Sequence, residues 1–332
     1  MIITRRSALL GAAALGACGL QSPTNNPARA QAPVSWTQIA QTGQGRIAVP
    51  GGNVVWRRFG AGSKTPVLAA HGGPGLPSDY IEPLKGLGDE RAVYFWDQLG
   101  CGRSDKPTGP QYWTRARFLD ELAAVRAGLG LTDMHYYGSS WGTMLGADYL
   151  IDRTQEGVRS ATFDGPVMSI RRYLADTRPM IDQLTPEHQA AVHEAERTGA
   201  YDTPGYRAAD AEFTHQHIAR HVTPETQPYL DRTFQGAGME SYLAMDGQSE
   251  FSITGNLRDY EREDDLKRIT IPVLYLSGEF DTCTPGASSE YASKTPHGEV
   301  AVVPGAGHCK LIDDPVTTIA LTRAFLARVE SA

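Results

Sequence analysis

The chain has 332 residues, 41% of them hydrophobic, and a formal net charge of −7. That length fits one large domain or two small ones, and the acidic balance argues against a nucleic-acid partner, which needs a basic surface. Its four cysteines, Cys18, Cys101, Cys283 and Cys309, form no C-x-x-C pair, which argues against a zinc site or a dithiol redox motif.

Residues 1–30 read as an export signal. Arg5 and Arg6 supply a charged start, and Ala8 to Ala17 is an apolar run too short for a membrane-spanning anchor. Thr4-Arg5-Arg6-Ser7 has the form of a twin-arginine signal. Two cleavage sites compete. Leu15-Gly16-Ala17-Cys18 is lipobox-like and would leave a lipid anchor on Cys18; it is favoured here over Ala28-Arg29-Ala30, which would release a soluble protein. Either outcome predicts export to the periplasm, a membrane-anchored lipoprotein or a secreted form. Export permits disulfides, and Cys283 and Cys309 are one candidate pair.

Further along, short apolar runs alternate with helical patterns, the signature of a mostly parallel sheet with crossover helices. Strands are predicted at Val67–Ala70, Ala92–Trp96, Met134–Tyr137, Ser160–Phe163, Pro272–Leu276 and Val300–Val303. Phe118, Leu119, Leu122, Val125 and Leu129 recur at helical spacing before Gly130, and Val316 to Val329 reads as a closing helix. Between about Arg171 and Asp264 no strand pattern appears. Thr185-Pro186-Glu187 looks like a helix start there. The chain therefore divides into a core over 31–170 and 265–332 and a helical cap over 171–264.

Gly138-Ser139-Ser140-Trp141-Gly142 matches G-x-S-x-G between a strand and the helical run from Met144 to Ile151. In that context the serine sits on a sharp strand-to-helix turn whose flanking positions must be small, a nucleophile elbow. The remaining partners should follow as acid and then histidine, each after a later strand. Asp281 and His308 do so, with Asp281 orienting the imidazole and His308 taking the proton of Ser140. Asp164, Asp313, Asp314 and Glu279 are rival acids at less suitable points. Backbone N–H groups of Trp141 and of Gly73, in the turn His71-Gly72-Gly73-Pro74-Gly75, are the expected oxyanion donors. His217 and His221 stand at i, i+4 spacing, but no acidic ligand pattern accompanies them. No metal and no cofactor is expected.

His71-Gly72-Gly73-Pro74-Gly75, Asp97-Gln98-Leu99-Gly100-Cys101-Gly102-Arg103-Ser104 and Gly138-Ser139-Ser140-Trp141-Gly142 together resemble the proline iminopeptidase (prolyl aminopeptidase) family of α/β-hydrolases. Met245-Asp246-Gly247-Gln248-Ser249-Glu250-Phe251 resembles the cap segment of its tricorn-interacting aminopeptidase and L-amino-acid amidase branch. The resemblance implies an α/β-hydrolase fold with a helical cap, and a cap glutamate, Glu250 here, that binds the free amino group of the substrate. It also implies a second cap carboxylate, for which Glu212 is the candidate. Many members carry arginine in place of Leu99 and glycine in place of Ser139; Leu99 places the chain nearer the aminopeptidase and amidase branch and weakens a strict proline preference. The expected activity is release of an N-terminal residue, with proline leading, from peptides or amides. Hydrolysis of L-amino-acid (proline) amides is the alternative. A general carboxylesterase and a non-catalytic binding scaffold are more distant ones.

Overall fold

The structure is a computed structural model that describes residues 35–250 and 252–332. The export signal read at 1–30 and the lipid anchor read at Cys18 lie outside the described residues. A seven-stranded sheet runs through the molecule. Its strands are β1 (Gln41–Val49), β2 (Gly52–Ala70), β3 (Arg91–Asp97), β4 (Met134–Ser139), β5 (Val158–Asp164), β6 (Val273–Gly278) and β7 (Gly298–Val303). The spatial order is β1-β2-β4-β5-β6-β7, with β3 on β2. Pairings from β2 to β4 and onward to β7 are parallel, while β1 and β3 pair antiparallel with β2. Each predicted strand overlaps one of β2 to β7, that at Pro272–Leu276 starting one residue before β6, and the closing helix is found as the last helix, Pro315–Ser331.

Alternation along the strands explains the layering, because successive side chains point to opposite faces. Leu68, Ala70, Trp96 and Tyr136 join one apolar cluster, while Val67, Ala69, Phe95 and Tyr137 join another. The helices in chain order are α1 (Arg115–Gly128), α2 (Trp141–Asp152), α3 (Ile170–Ile181), α4 (Pro186–Thr198), α5 (Pro204–Phe213), α6 (Gln227–Gly236), α7 (Met239–Met245), α8 (Pro285–Lys294), α9 (Lys310–Asp313) and α10 (Pro315–Ser331). Helices α3 to α7 all fall between β5 and β6. Within that insertion, Ile181, Leu184, Val192, Ala195, Tyr206, Ala209 and Phe213 bury one another in a small cluster of their own. Thr185 caps α4 by accepting the His188 N–H, with Pro186 in the first turn, as the Thr-Pro signal implies.

Two expectations fail here. Cys283 and Cys309 do not pair: Cys101, Cys283 and Cys309 are all free. Cys283 packs into the cluster of Leu68 and Tyr136, Cys309 against that of Val67 and Tyr137, so the two thiols face different layers. Nor do His217 and His221 share a helix face. The helical turn after α5 ends at Ile218, before His221, and His217 turns its Nδ1 to the Phe280 carbonyl at 3.0 Å. Among the described residues no helix is long and apolar enough to cross a membrane.

Candidate active site

Ser140 sits at the junction of β4 and α2 with φ 54 and ψ −120, among the described residues the one non-glycine with positive φ. That conformation costs roughly 1–3 kcal/mol and survives only where its surroundings enforce it. Enforcement is visible on both sides. A Cβ on Gly138 would stand 2.3 Å from the Gly142 carbonyl oxygen, and one on Gly142 would stand 2.5 Å from that of Ala70. The Ser140 N–H donates to the Asp164 carbonyl at 2.8 Å, tying the turn to the neighbouring strand. Because Trp141 opens α2, its N–H lacks the intrahelical acceptor that later residues have and belongs to the positive end of the helix.

The turn after β2 lies against this serine. A Cβ on Gly72 would meet Ser140 Cβ at 2.8 Å, and Gly73 has φ 104. Gln98 holds the arrangement together: its side-chain amide donates to the His71 carbonyl at 2.9 Å and its Oε1 accepts from the Trp141 indole at 2.9 Å. His71 is fully buried and accepts the Gln98 N–H at Nε2, so it helps to shape the loop after β2.

His308 and Asp281 lie on the turns after β7 and β6, and His308 Nδ1 is 2.7 Å from Asp281 Oδ1. Asp281 is fully buried and also accepts the N–H groups of Cys283 at 2.8 Å and Gly278 at 3.2 Å. Burial opposes its ionised form, but the charges of Lys310 and His308 outweigh burial and hold its carboxyl well below the usual range. For His308, burial lowers basicity and the Asp281 charge more than restores it. Space for the ring comes from Gly165, where a Cβ would stand 2.6 Å from His308 Cε1. The insertion steadies the same loop: the His217 and Ile218 carbonyls accept the N–H groups of His308 and Cys309 at 2.8 and 2.7 Å. Two of the rival acids are spent elsewhere. Asp313 accepts the N–H groups of Arg220, His221 and Gly307, and Glu279 that of Gly305. Ligating atoms of Asp281, Cys283 and His308 gather within 4.8 Å, but both Asp281 oxygens already accept from Lys310, His308 and backbone N–H groups, a donor set suited to orienting a histidine.

One cavity of about 650 Å³ joins these parts. Ser140, Gly73, Trp141 and His308 line it from the sheet side, and Asp210, Asp246 and Glu250 line it from the insertion. Met144, Val167, Ile170, Ile253 and Leu257 form apolar walls. Glu250 accepts from the Tyr242 hydroxyl, and its backbone carbonyl accepts from Tyr173 at 3.2 Å. Asp246 is buried, with Oδ2 lacking a hydrogen-bond partner. Burial, and then the Glu250 charge, raise the Asp246 carboxyl well above its ordinary range and push that of Asp210 up to about 6.

Glu212 is not in the cavity. It pairs with His188 and accepts from Gln216, on the outside of the insertion. The periodicity of α5 is the reason: Tyr206, Asp210 and Thr214 follow at i, i+4 and line the cavity, whereas two residues turn a helix by about 200°. The acid that reaches the site is therefore Asp210. That spacing was available in the sequence. Asp246 stood inside the quoted cap motif, and Lys310 two residues after His308; neither was singled out.

Residues 65–315 match the family model of the alpha/beta hydrolase fold. The proline iminopeptidase of Heyndrickxia coagulans is 35% identical over 286 residues, covering 85% of this chain and 98% of that one. That of Levilactobacillus brevis is 36% identical over 265 residues, covering 79% and 88%. The crystal structure of proline iminopeptidase from Mycobacterium smegmatis aligns with a TM-score of 0.78 at 29% identity, covering 86% of this chain and 98% of that one. The crystal structure of VinJ aligns with a TM-score of 0.80 at 27% identity, covering 87% and 100%. Sheet, elbow and insertion together are those of an α/β-hydrolase enzyme. Within that class the chain belongs to the proline iminopeptidase family.

Proposed function

We propose that the protein is a serine aminopeptidase that releases an N-terminal residue, proline foremost, from peptides with an unblocked amine. The observation that carries this reading is the shared cavity, which sets Ser140 and His308 opposite Glu250, Asp246 and Asp210. Segment 171–264 acts as the cap that closes over the substrate. An ammonium group entering a largely apolar pocket must find an opposite charge, since an unpaired buried ion is strongly disfavoured. Glu250 is its anchor, and Asp210 takes the part expected of Glu212. The walls of Ile170, Ile253 and Leu257 suit a compact apolar ring such as that of proline. The exposed side chains of Phe234 and Met239 at the same cavity leave room for a chain beyond the scissile bond, which favours peptides over small amides.

In the acylation step the Ser140 oxygen forms a bond to the carbonyl carbon while its proton passes to His308 Nε2. The carbonyl π pair moves to oxygen, where the N–H groups of Gly73 and Trp141 stabilise the charge. Asp281 balances the imidazolium. Collapse breaks the C–N bond, and the leaving nitrogen takes the proton from His308. Water, deprotonated by His308, then releases the residue from Ser140. A fluorophosphonate probe tests the assignment. It should attach to Ser140, as mapped by peptide mass spectrometry, and abolish proline p-nitroanilide hydrolysis. Attachment elsewhere, or none on folded protein, contradicts it.

A further inference from the structure

We infer that Lys310 is a positioning residue for the hydrolytic reaction, one that acts on His308 through Asp281 and uses Asp164 as its counter-charge. This rests on the roles proposed above for Ser140, His308 and Asp281.

Lys310 is a lysine with no exposed side-chain surface, and its ammonium meets three oxygens. Nζ donates to Asp281 Oδ2, donates to the His308 carbonyl at 3.0 Å and ion-pairs with Asp164 Oδ1 at 2.9 Å. Asp164 and Asp281 are as deeply buried, and the other Asp164 oxygen accepts from the Tyr137 hydroxyl at 2.6 Å. A buried ammonium is expensive unless paired, so two carboxylates on one lysine form a built arrangement. Packing alone would be served as well by an apolar side chain among Leu311 and Ile312.

Charge counting gives the arrangement a purpose. With neutral His308 the cluster holds one cation and two anions. When His308 takes the Ser140 proton, two cations face two anions and the buried group is neutral. Lys310 thereby offsets the repulsion between the Asp281 and Asp164 carboxylates. It also draws on Asp281, which limits how basic His308 becomes, so that His308 can return its proton to the leaving nitrogen.

The other groups facing the cluster do not alter this count near neutral pH. Burial raises the Tyr137 and Tyr80 hydroxyls and the Cys283 and Cys309 thiols, keeping them neutral. Burial lowers His217, across the Phe280 carbonyl, so it is uncharged as well. Asp313 follows on α9 and is occupied with backbone N–H groups.

The test is the pH profile of kcat/KM on proline p-nitroanilide for three variants. Lys310→Met should move the acid limb up by about one pH unit, as expected when a like charge near the His308 imidazolium is removed. Asp164→Asn, which leaves Lys310 to Asp281 alone, should move it down. The double variant Lys310→Met/Asp164→Asn restores the wild-type charge and should return the limb towards its original position. A limb that stays in place in the variants that fold, with only kcat or stability lowered, overturns the proposal. Should Lys310→Met fail to fold, the downward shift in Asp164→Asn decides alone. Failure of the wild-type protein to turn over any unblocked substrate would instead strike at the proposed activity.

Discussion

At the scale of the residue, the strongest constraints are those where backbone and side chain have no alternative. Ser140 keeps a positive φ because Gly138 and Gly142 leave no room for other side chains around the turn. This was legible in the sequence as G-x-S-x-G between a strand and a helix, and Asp281 and His308 were legible from their order and their places after strands. The role proposed for Glu250 rests in the sequence only on the resemblance of its flanking motif, since a lone glutamate on an inserted segment carries no local signal. If it anchors the substrate amine, Glu250→Gln should cost about 2–5 kcal/mol in transition-state binding, the range for breaking a buried charge pair. In kcat/KM on an unblocked substrate that is a fall of roughly 30-fold or more. Wild-type kcat/KM in Glu250→Gln would remove the anchor.

At the scale of the element, α5 shows how helical phase decides which acid lines the cavity. Glu212 and Asp210 are two residues apart, yet one pairs with His188 at the surface and the other lines the cavity. Reading the helix by residue type selected Glu212; reading it by period, with Tyr206 and Thr214 as companions, selects Asp210. The same limit applied to β1 and the first half of β2, where glycines at 43, 45, 51 and 52 interrupt the pattern and half-exposed positions blur the alternation. Asp210 carries a cost that pH exposes. Burial and Glu250 push its carboxyl up to about 6 in the folded protein. The unfolded chain therefore releases that proton first, and stability falls as pH rises from about 4 to 6. Asp210→Asn should accordingly raise Tm at pH 8 relative to wild type and change it little at pH 4. An equal effect at both pH values would mean the carboxyl is not strained by its surroundings.

At the scale of the whole molecule, the sheet and the insertion each supply half of the site. The parallel strands β4, β6 and β7 end in the turns that carry Ser140, Asp281 and His308, and α5 and the segment after α7 bring the carboxylates. Fold class and the division into sheet and helical insertion were legible because apolar runs alternated with helical periods and then ceased between 171 and 264. How the insertion packs was not legible, because its cluster of Ile181, Val192, Tyr206 and Phe213 is assembled from contacts distant in sequence. The partnership of Lys310 with Asp164 was hidden for the same reason, as the end of strand β5 and the start of α9 meet only in the folded protein.

The proposed division of labour makes one demand on the substrate: a free amine at the inserted segment and a scissile carbonyl at Ser140. The measurement that bears on it most directly is kcat/KM on proline p-nitroanilide beside its N-acetylated counterpart. Strong turnover of the free amine and loss on acetylation are the predicted result. Equal turnover of both, or activity confined to simple esters, would contradict the amine-binding role of the cap carboxylates and make the protein a general esterase.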